Sequence, residues 1–390
     1  MNNAILGIWV AILLSSTPTV AIELPPAIDP GTDYWTEPSP RGKISESVSV
    51  TVNVKDRADV VRVFNEHYLP FVGIPANWTG NVDSCVAGTN NQNYTEGTLR
   101  RINYFRAMAQ LNGDVVMRED WNTKCQEAAL MMAAKGGVPD HNPTSDWKCY
   151  TAGGREAAGS SNLANGNGWH GPAAIDGYMD DPGQFNINVG HRRAVLCPGL
   201  HTTGVGSTTY RNGSNAQWWV GGFNAFIRNQ YPEYLSWPPA GYVPYQVVYN
   251  KWHLQHDTAD FSQSQISMTR NGSPISSTRL TYGTSSSLDN HVIWTVGVDT
   301  TQKPSRDMVY GVTVSGIKVG SDVVEYSYEV TIIDPAQVVN TPTPTPTQAA
   351  TPTPTAPALS ARVGDILGFS SFWDPVELYE PMLEDVGNWR

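Results

Sequence analysis

The sequence predicts an α+β fold, in which a helix-rich layer packs on a small antiparallel sheet and an all-β sandwich follows along the chain. Three observations lead to this prediction. Apolar residues recur at helical spacing between residues 96 and 134. Strand-like segments at 203–210 and 217–223 flank an Arg-Asn-Gly-Ser turn. Beyond residue 238, β-rich segments alternate with turn residues.

The first residues carry the pattern of a secretory signal. An apolar run from Ala4 to Leu14 precedes Thr19-Val20-Ala21, whose small residues suit a signal peptidase. The alternative is a buried N-terminal helix. The run is shorter than the ~20 residues that a membrane span needs, and no later segment comes close. We therefore expect a signal peptide at 1–21 and a secreted chain, extracellular or at the cell surface, without a transmembrane segment.

The net charge and the cysteine count indicate which partners and which redox compartment to expect. The net charge is −11, so the chain lacks the basic footprint that nucleic-acid binding requires, and we expect no nucleic-acid partner. Four cysteines in an exported chain favour two disulfides over a zinc site. These are Cys85, Cys125, Cys149 and Cys197. Of three pairings, we favour Cys85–Cys125 and Cys149–Cys197, which tie neighbouring parts of one domain.

Helix signals organise the first half of the chain. Two amphipathic helices are separated at Asn112-Gly113, and Gly136-Gly137 ends the second. A third helix is predicted from Pro172 to Asp180, because proline suits the first helical position. Upstream, an alternating valine run and a helix at 57–68 indicate an extension that packs on the core. The predicted organisation is a signal peptide (1–21), an N-terminal extension (22–79), a core domain (80–237), a β-sandwich (238–336), a linker (337–358) and a tail (359–390).

The second half reads as a sandwich followed by a spacer. Tyr326, Tyr328, Val330 and Ile332 alternate with polar residues, the period of a half-buried strand. The predicted strands are 245–252, 264–269, 291–296, 308–315 and 326–333, in an immunoglobulin-like or fibronectin-like sandwich. The Thr-Pro run 341–357 should form an extended, semi-rigid spacer. The aromatic-acidic tail is either a docking element or disordered, and linker and tail together offer a means of surface display.

Two histidines are candidates for metal binding or for acid–base catalysis. His141 lies just beyond the second helix, and His191 follows Gly190 and precedes a predicted apolar strand. Neutral imidazole is a common metal ligand and the usual physiological acid or base. The two lack a short helical spacing, so spacing alone favours buried, hydrogen-bonded core histidines.

Several motifs occur in an order that resembles a known family. They are Asn103-Tyr104-Phe105-Arg106, the helix leading to His141, Ser161-Asn162-Leu163-Ala164, Asp176-Gly177-Tyr178-Met179, and Asn188-Val189-Gly190-His191-Arg192-Arg193. Together they resemble the CAP superfamily of cysteine-rich secretory, antigen 5 and pathogenesis-related proteins (the SCP domain), in its bacterial branch, over roughly residues 80–230. The resemblance implies an α-β-α sandwich with a groove that contains two histidines and, commonly, two acids.

This sequence does not have all the groove residues that are usual in the family. Ser161 stands where the family usually has a glutamate, next to Asn162, and the second acid falls at Asp180 or Asp181. No cofactor is required, and a divalent cation such as zinc at His141 and His191 would be held weakly, because one carboxylate is missing.

Three functions compete. The resemblance implies an extracellular binding or interaction protein for a lipid, sterol or protein ligand, with a groove formed by His141, His191, Ser161, Asn162 and Asp181. The alternative is a metal-assisted or serine-type extracellular hydrolase, in which Ser161 is activated by a histidine that Asp176, Asp180 or Asp181 orients. No nucleophile-elbow sequence surrounds Ser161, so we assign no catalytic residue beyond this candidate. The segment 159–162, Gly-Ser-Ser-Asn, is instead predicted to be a polar turn whose asparagine ties neighbouring loops together. The third is a purely structural surface module.

Neighbouring polar residues have simpler interpretations. Arg192 and Arg193 either meet an anionic ligand or pair with acids or chain carbonyls. His253 and His256 are spaced by three in a predicted strand, so they should face opposite sides and make a poor metal pair. Glu156 and His170 are expected to be surface residues of loops.

Overall fold

The structure is a computed structural model that describes residues 49–222, 231–285 and 288–337. The predicted signal peptide, the linker from residue 338 onward and the aromatic-acidic tail lie outside these residues. Among the residues described, no helix is both long and apolar enough to cross a membrane.

Helices dominate the first half, as the apolar spacing predicts. Local capping explains where they begin: Asp56 accepts hydrogen bonds from two backbone N–H groups of the first turn, and Asn91 and Thr151 each accept one. Gly136, at φ 70°, ends the third helix. The helices of the described residues are α1 (Arg57–Val63), α2 (Gln92–Met108), α3 (Glu119–Lys135), α4 (Ala152–Ser160), α5 (Pro172–Asp180) and α6 (Gly190–Val195). The three core helices that the sequence predicts are therefore present, and α5 has the predicted bounds.

A four-stranded sheet lies between two helical layers. Its strands are β1 (Val116–Met117), β2 (Ser161–Asn165), β3 (Thr202–Thr208) and β4 (Ser214–Trp218), in the order β1-β3-β4-β2. β1 runs parallel to β3, and the other pairs are antiparallel, including the predicted β3–β4 hairpin. α3 and α4 cover one face, where Trp121 stacks on Trp218 at 4.7 Å. α2, α5 and α6 form the other layer. The arrangement is an α-β-α sandwich.

Two further sheets follow and pack face to face as a β-sandwich. Their strands are β5 (Leu235–Trp237), β6 (Gly241–Pro244), β7 (Lys251–His256), β8 (Gln265–Arg270), β9 (Ser273–Ile275), β10 (Ser277–Gly283), β11 (Asn290–Val296), β12 (Met308–Val319) and β13 (Asp322–Ile333). The sheet orders are β10-β11-β7-β5 and β6-β13-β12-β8-β9. Trp252 and Trp294 lie opposite each other in neighbouring strands, and the Trp252 ring meets Tyr310 of the facing sheet at 5.8 Å. These buried aromatic rings form the centre of the sandwich core.

The N-terminal extension packs against both parts. The Val50 N–H donates to the Gly113 carbonyl in the α-β-α sandwich, and the Tyr242 N–H of β6 donates to the Val54 carbonyl. Arg57 of α1 forms an ion pair with Asp307 at 2.9 Å. The extension therefore joins the helical core to the β-sandwich.

Three local predictions are wrong. The apolar residues after His191 form the short helix α6, not a strand, since so short a run fits a buried helix equally well. The segment 159–162 is not a polar turn: α4 ends at Ser160 and β2 begins at Ser161. The predicted strand 245–252 begins with a 3₁₀ turn and becomes a strand only at Lys251.

The predicted cysteine pairing is also wrong. Cys85 is bonded to Cys149, while Cys125 and Cys197 are buried thiols that take no part in this disulfide. Cys125 lies in the middle of α3, inside the core between helix and sheet, and Cys85 and Cys149 lie on loops that meet near Val82. The bond closes a sequence separation of 64 residues. On a chain-entropy model such a loop stabilises the fold by about 4 kcal/mol.

Thiol titration distinguishes the two pairings. We expect two reactive thiols per chain in denaturant without reductant, and none in the native protein, because Cys125 and Cys197 are 0% and 4% exposed. Reduction should raise the wild-type count to four but leave a Cys85→Ser/Cys149→Ser variant at two. A count of zero in denaturant would mean that all four cysteines are paired and would contradict a single disulfide.

Candidate functional site

A buried carboxylate orients His191. Asp181 is the C-cap residue of α5. Its two carboxylate oxygens accept hydrogen bonds from the His191 backbone N–H and from His191 Nδ1, both at 2.9 Å. The imidazole stacks on the Tyr178 ring with centroids 5.6 Å apart. Asp181 is 0% and His191 1% exposed. Of the two acids that the sequence offered, Asp181 is the one that meets the histidine.

The backbone around this pair is strained. Asp181 has φ 51° and Val189, the residue before α6, has φ 41° and ψ 48°. A β-branched residue in the left-handed region is a genuine outlier, and such strain of ~1–3 kcal/mol concentrates at functional sites. Both strained residues are fully buried, so the surrounding packing holds the turn that presents His191.

His141 is held by the end of α4, close in the chain to a residue that contacts His191. Its Nδ1 donates to the Ala158 carbonyl in the last turn of α4, at 2.8 Å. Asn162, four residues further on, donates from Nδ2 to the His191 carbonyl at 3.2 Å. Both histidines therefore contact the stretch 158–162. A carbonyl or carboxylate can only accept, so each ring carries a proton on Nδ1.

Ser161 has a structural environment. It is the first residue of the fully buried strand β2, and its hydroxyl lies 3.8 Å from the Cys125 thiol. Among the residues described, the hydroxyl makes no hydrogen bond to a histidine. Burial raises the pKa of the Cys125 thiol to about 12, so this neighbour is a neutral thiol and not a base. The serine lacks the paired base that a nucleophile requires.

Asn162 leaves one acceptor unused. Its Nδ2 is shared between the His191 carbonyl and Gln217 Oε1, while its Oδ1 is buried and has no hydrogen-bond partner in the described part of the chain. Such orphaned polar atoms are rare in native structures and call for a water or a ligand. The unused acceptor lies beside the backbone of His191.

The two arginines after His191 bridge to the β-sandwich. Arg192 donates to the carbonyls of Met179 and Asp180 and, at 2.7 Å, to that of Lys251 in β7. Arg193 donates to the Asp289 carbonyl at 2.6 Å, just before β11. Burial lowers the pKa of each guanidinium to about 10. Of the two interpretations, pairing with chain carbonyls is the one observed.

Lys251 was missed by sequence reasoning. From β7 its ammonium donates to the carbonyls of Asp181, Gly183 and Asn186, which lie in the loop between α5 and α6. A single lysine before a tryptophan gives no sign of this role, because its three acceptors are backbone atoms more than sixty residues away. The sandwich thus helps to fix the loop that carries the Asp181–His191 pair.

The remaining predicted polar residues lie apart from this pair. His253 and His256 both lie in β7 but face opposite sides: His253 Nδ1 is 3.5 Å from Arg192, whereas His256 Nε2 meets Glu233 at 3.2 Å. Glu156 is a surface residue as predicted, but it lies in α4 and not in a loop, and it pairs with Lys124 at 2.7 Å. His170 is not a free loop residue, because its Nδ1 makes a close hydrogen bond to the Tyr94 hydroxyl.

The site is compact and short of metal ligands. His141, with 7% exposure, is the most accessible of the five predicted groove residues. Within the described ranges, no group of three or more His, Cys, Asp or Glu side chains is placed to hold a metal ion. A catalytic zinc normally has three protein ligands. The arrangement can orient two imidazoles and offer an amide acceptor, but it does not assemble a catalytic metal centre.

The sequence of this region matches one family. The model of the cysteine-rich secretory protein family, CAP, matches residues 99–223, which include the later part of α2, α3 to α6, the four-stranded sheet and both histidines. This chain contains a CAP domain. The match covers about a third of the chain and leaves the β-sandwich unassigned. No curated protein and no solved structure matches the chain. CAP proteins are often extracellular, and the Cys85–Cys149 bond of this chain suits such a compartment.

Proposed function

We propose that this chain is a secreted binding or interaction protein whose CAP domain uses His141 and His191 for recognition. The proposal rests on the contacts of three side chains. Both imidazoles are anchored by hydrogen bonds through Nδ1, whereas the Ser161 hydroxyl lies beside the Cys125 thiol and not beside a base. A serine hydroxyl that lacks a paired base does not suit acyl transfer, whereas two oriented imidazole rings suit ligand binding.

The chemistry of the site indicates the kind of ligand. The Asn162 Oδ1 is a buried acceptor without a hydrogen-bond partner in the described part of the chain, so a ligand that donates a hydrogen bond, such as a sterol hydroxyl or a peptide N–H, complements it. Entry would occur beside His141, the most exposed of the set. A lipid, sterol or protein partner outside the cell fits this description.

A search for a retained ligand tests the proposal against the hydrolase. We expect native mass spectrometry of the purified chain to show a bound mass that His191→Leu weakens and Ser161→Ala leaves in place. A panel of esters and peptides should show no turnover that Ser161→Ala removes. Turnover that depends on Ser161, or the absence of any retained or added sterol or lipid, would count against the binding function.

Weak binding of a divalent cation is a second candidate. One observation favours it: histidines that hold metals usually donate the other ring N–H to a carboxylate or carbonyl, as His191 does to Asp181 and His141 does to Ala158. Two imidazoles fall short of a three-ligand site, so no catalytic role is assigned to the cation.

Calorimetric titration of zinc decides this candidate. The chelator-treated protein is expected to give a weak isotherm that a His141→Ala/His191→Ala variant loses. His67→Ala, which removes a histidine of the N-terminal extension, should leave the isotherm unchanged. Equally flat traces for wild type and double variant would exclude the site.

A further inference from the structure

A cavity far from the two histidines lies where three parts of the chain meet. Its volume is about 210 Å³, and its walls include Lys55 of the N-terminal extension, Gln110 after α2, Tyr234 and Ser236 near β5, and Tyr326 of β13. The cavity exists only when the extension, the CAP domain and the β-sandwich are all in place. Neither ligand binding nor cation binding at His141 and His191 involves this cavity.

A rigid aromatic platform forms one wall. Tyr234 and Tyr326 stack with centroids 4.3 Å apart and planes at 17°. His256 packs against Tyr234, with centroids 4.8 Å apart, and is itself fixed because its Nδ1 accepts from the N–H groups of Thr258 and Ala259. Stacked rings held in this way offer a flat surface that loses little conformational freedom on binding.

Polar side chains line the same cavity. The Lys55 ammonium forms no ion pair and the Gln110 carboxamide no hydrogen bond with any described residue, and the Ser236 hydroxyl lies on the same wall. An ammonium and a carboxamide supply five N–H donors and one acceptor between them. The cavity therefore combines an apolar ring surface with several hydrogen-bonding groups.

The backbone at Gln110 adds a second, independent observation. Gln110 has φ 61°, directly after the cap of α2, where glycine is the usual residue. A side chain in this left-handed position costs free energy that glycine would avoid. The strain is retained at the residue that places a carboxamide at the cavity, as expected when that group serves binding.

We propose that this cavity binds one pyranose ring of an extracellular glycan. The C–H face of a sugar ring stacks on a tyrosine pair, and its hydroxyls match the groups of Lys55, Gln110 and Ser236. The volume is below the ~300 Å³ at which ordinary small-molecule pockets begin, so it suits a single ring and not a sterol or an acyl chain. A proline-rich peptide also favours aromatic surfaces, but it needs an extended groove and not a compact cavity.

Saturation-transfer NMR with defined sugars tests this assignment on the full chain. The probes are the methyl glycosides of glucose, galactose and N-acetylglucosamine, and galacturonic acid, whose carboxylate would meet Lys55. We expect at least one of them to receive saturation at its ring protons. Tyr326→Ala and Gln110→Gly should each weaken its binding at least about fivefold.

The variants are chosen so that folding cannot explain the result. Gln110→Gly removes the carboxamide and relieves the strained φ, so its melting temperature should equal or exceed that of wild type. Tyr282→Ala, which removes an exposed tyrosine of β10 beside Arg279, should bind like wild type. No transfer to any sugar, transfer unaffected by Gln110→Gly, or binding of a hexaproline peptide in place of the sugars would overturn the proposal.

Discussion

Arg192→Met is expected to lower the free energy of unfolding by about 3 kcal/mol. The variant leaves the carbonyls of Met179, Asp180 and Lys251 without their donor, and each buried unsatisfied carbonyl costs ~1–3 kcal/mol. Removing the buried charge recovers part of this loss, because burial already disfavours the guanidinium and lowers its pKa to about 10. Urea unfolding followed by tryptophan fluorescence and far-UV circular dichroism measures the difference.

Two further variants distinguish the loss of the Arg192 hydrogen bonds from a general effect of removing an arginine. Arg62, on α1, is 48% exposed in its side chain and pairs with Asp59 and Glu66 at the surface, so Arg62→Met should leave the urea midpoint close to that of the wild type. Arg192→Lys keeps the charge but loses the planar fork of donors, and an intermediate loss is expected. Equal stabilities of the two methionine variants would return Arg192 to the alternative role of meeting an anionic ligand.

The order of elements could be predicted from the sequence because the signals are local. Helical spacing of apolar residues, the glycines after α3 and Pro172 at the start of α5 each act within a few residues. The same holds for Tyr328, Val330 and Ile332, whose alternation places them in the buried face of β13. Propensity and periodicity therefore sufficed for the helix-rich layer with its small antiparallel sheet and for the β-sandwich, whereas the α-β-α order of layers was implied by the resemblance to the CAP superfamily.

The errors lie where tertiary contacts override local preference. Ser161 and Asn162 read as a turn, yet both faces of β2 are covered, and hydrogen bonds to distant groups make polar residues acceptable in a buried strand. The disulfide joins loops 64 residues apart, a pairing that spacing does not encode. Lys251 could not be found at all, because its partners are backbone carbonyls of another domain.

The candidate site was only partly predictable for the same reason. His141, His191 and an acid at 180 or 181 followed from the motif order, and Asp181 does meet His191. The contacts that give the site its chemistry, from Ala158 to His141 and from Cys125 to Ser161, join residues that only the fold brings together.

The interface beside the site is also expected to make the protein sensitive to acid. His253 and His291 are buried opposite Arg192 and Arg193, each with a ring nitrogen 3.5 Å from a guanidinium. Burial, reinforced by the arginines, lowers the pKa of His291 to about 3 and holds that of His253 well below its usual range. Both rings are therefore neutral in the folded protein at pH values where the unfolded chain, with histidine pKa near 6.5, already binds protons.

The sign of the effect follows from this difference. Below pH ~6.5 the unfolded state holds more protons, so stability is complete above that pH and falls by up to about 1.4 kcal/mol per pH unit for each histidine as the pH drops toward 3. We expect urea midpoints to fall between pH 6.5 and 4, and a His253→Asn/His291→Asn variant to show a shallower fall. His256→Asn removes a histidine of the same strand β7 that faces Glu233 and not an arginine, and it should keep the wild-type slope. A double variant with an unchanged slope would mean that other groups govern the acid response, and that the arginine–histidine contacts open before the fold is lost.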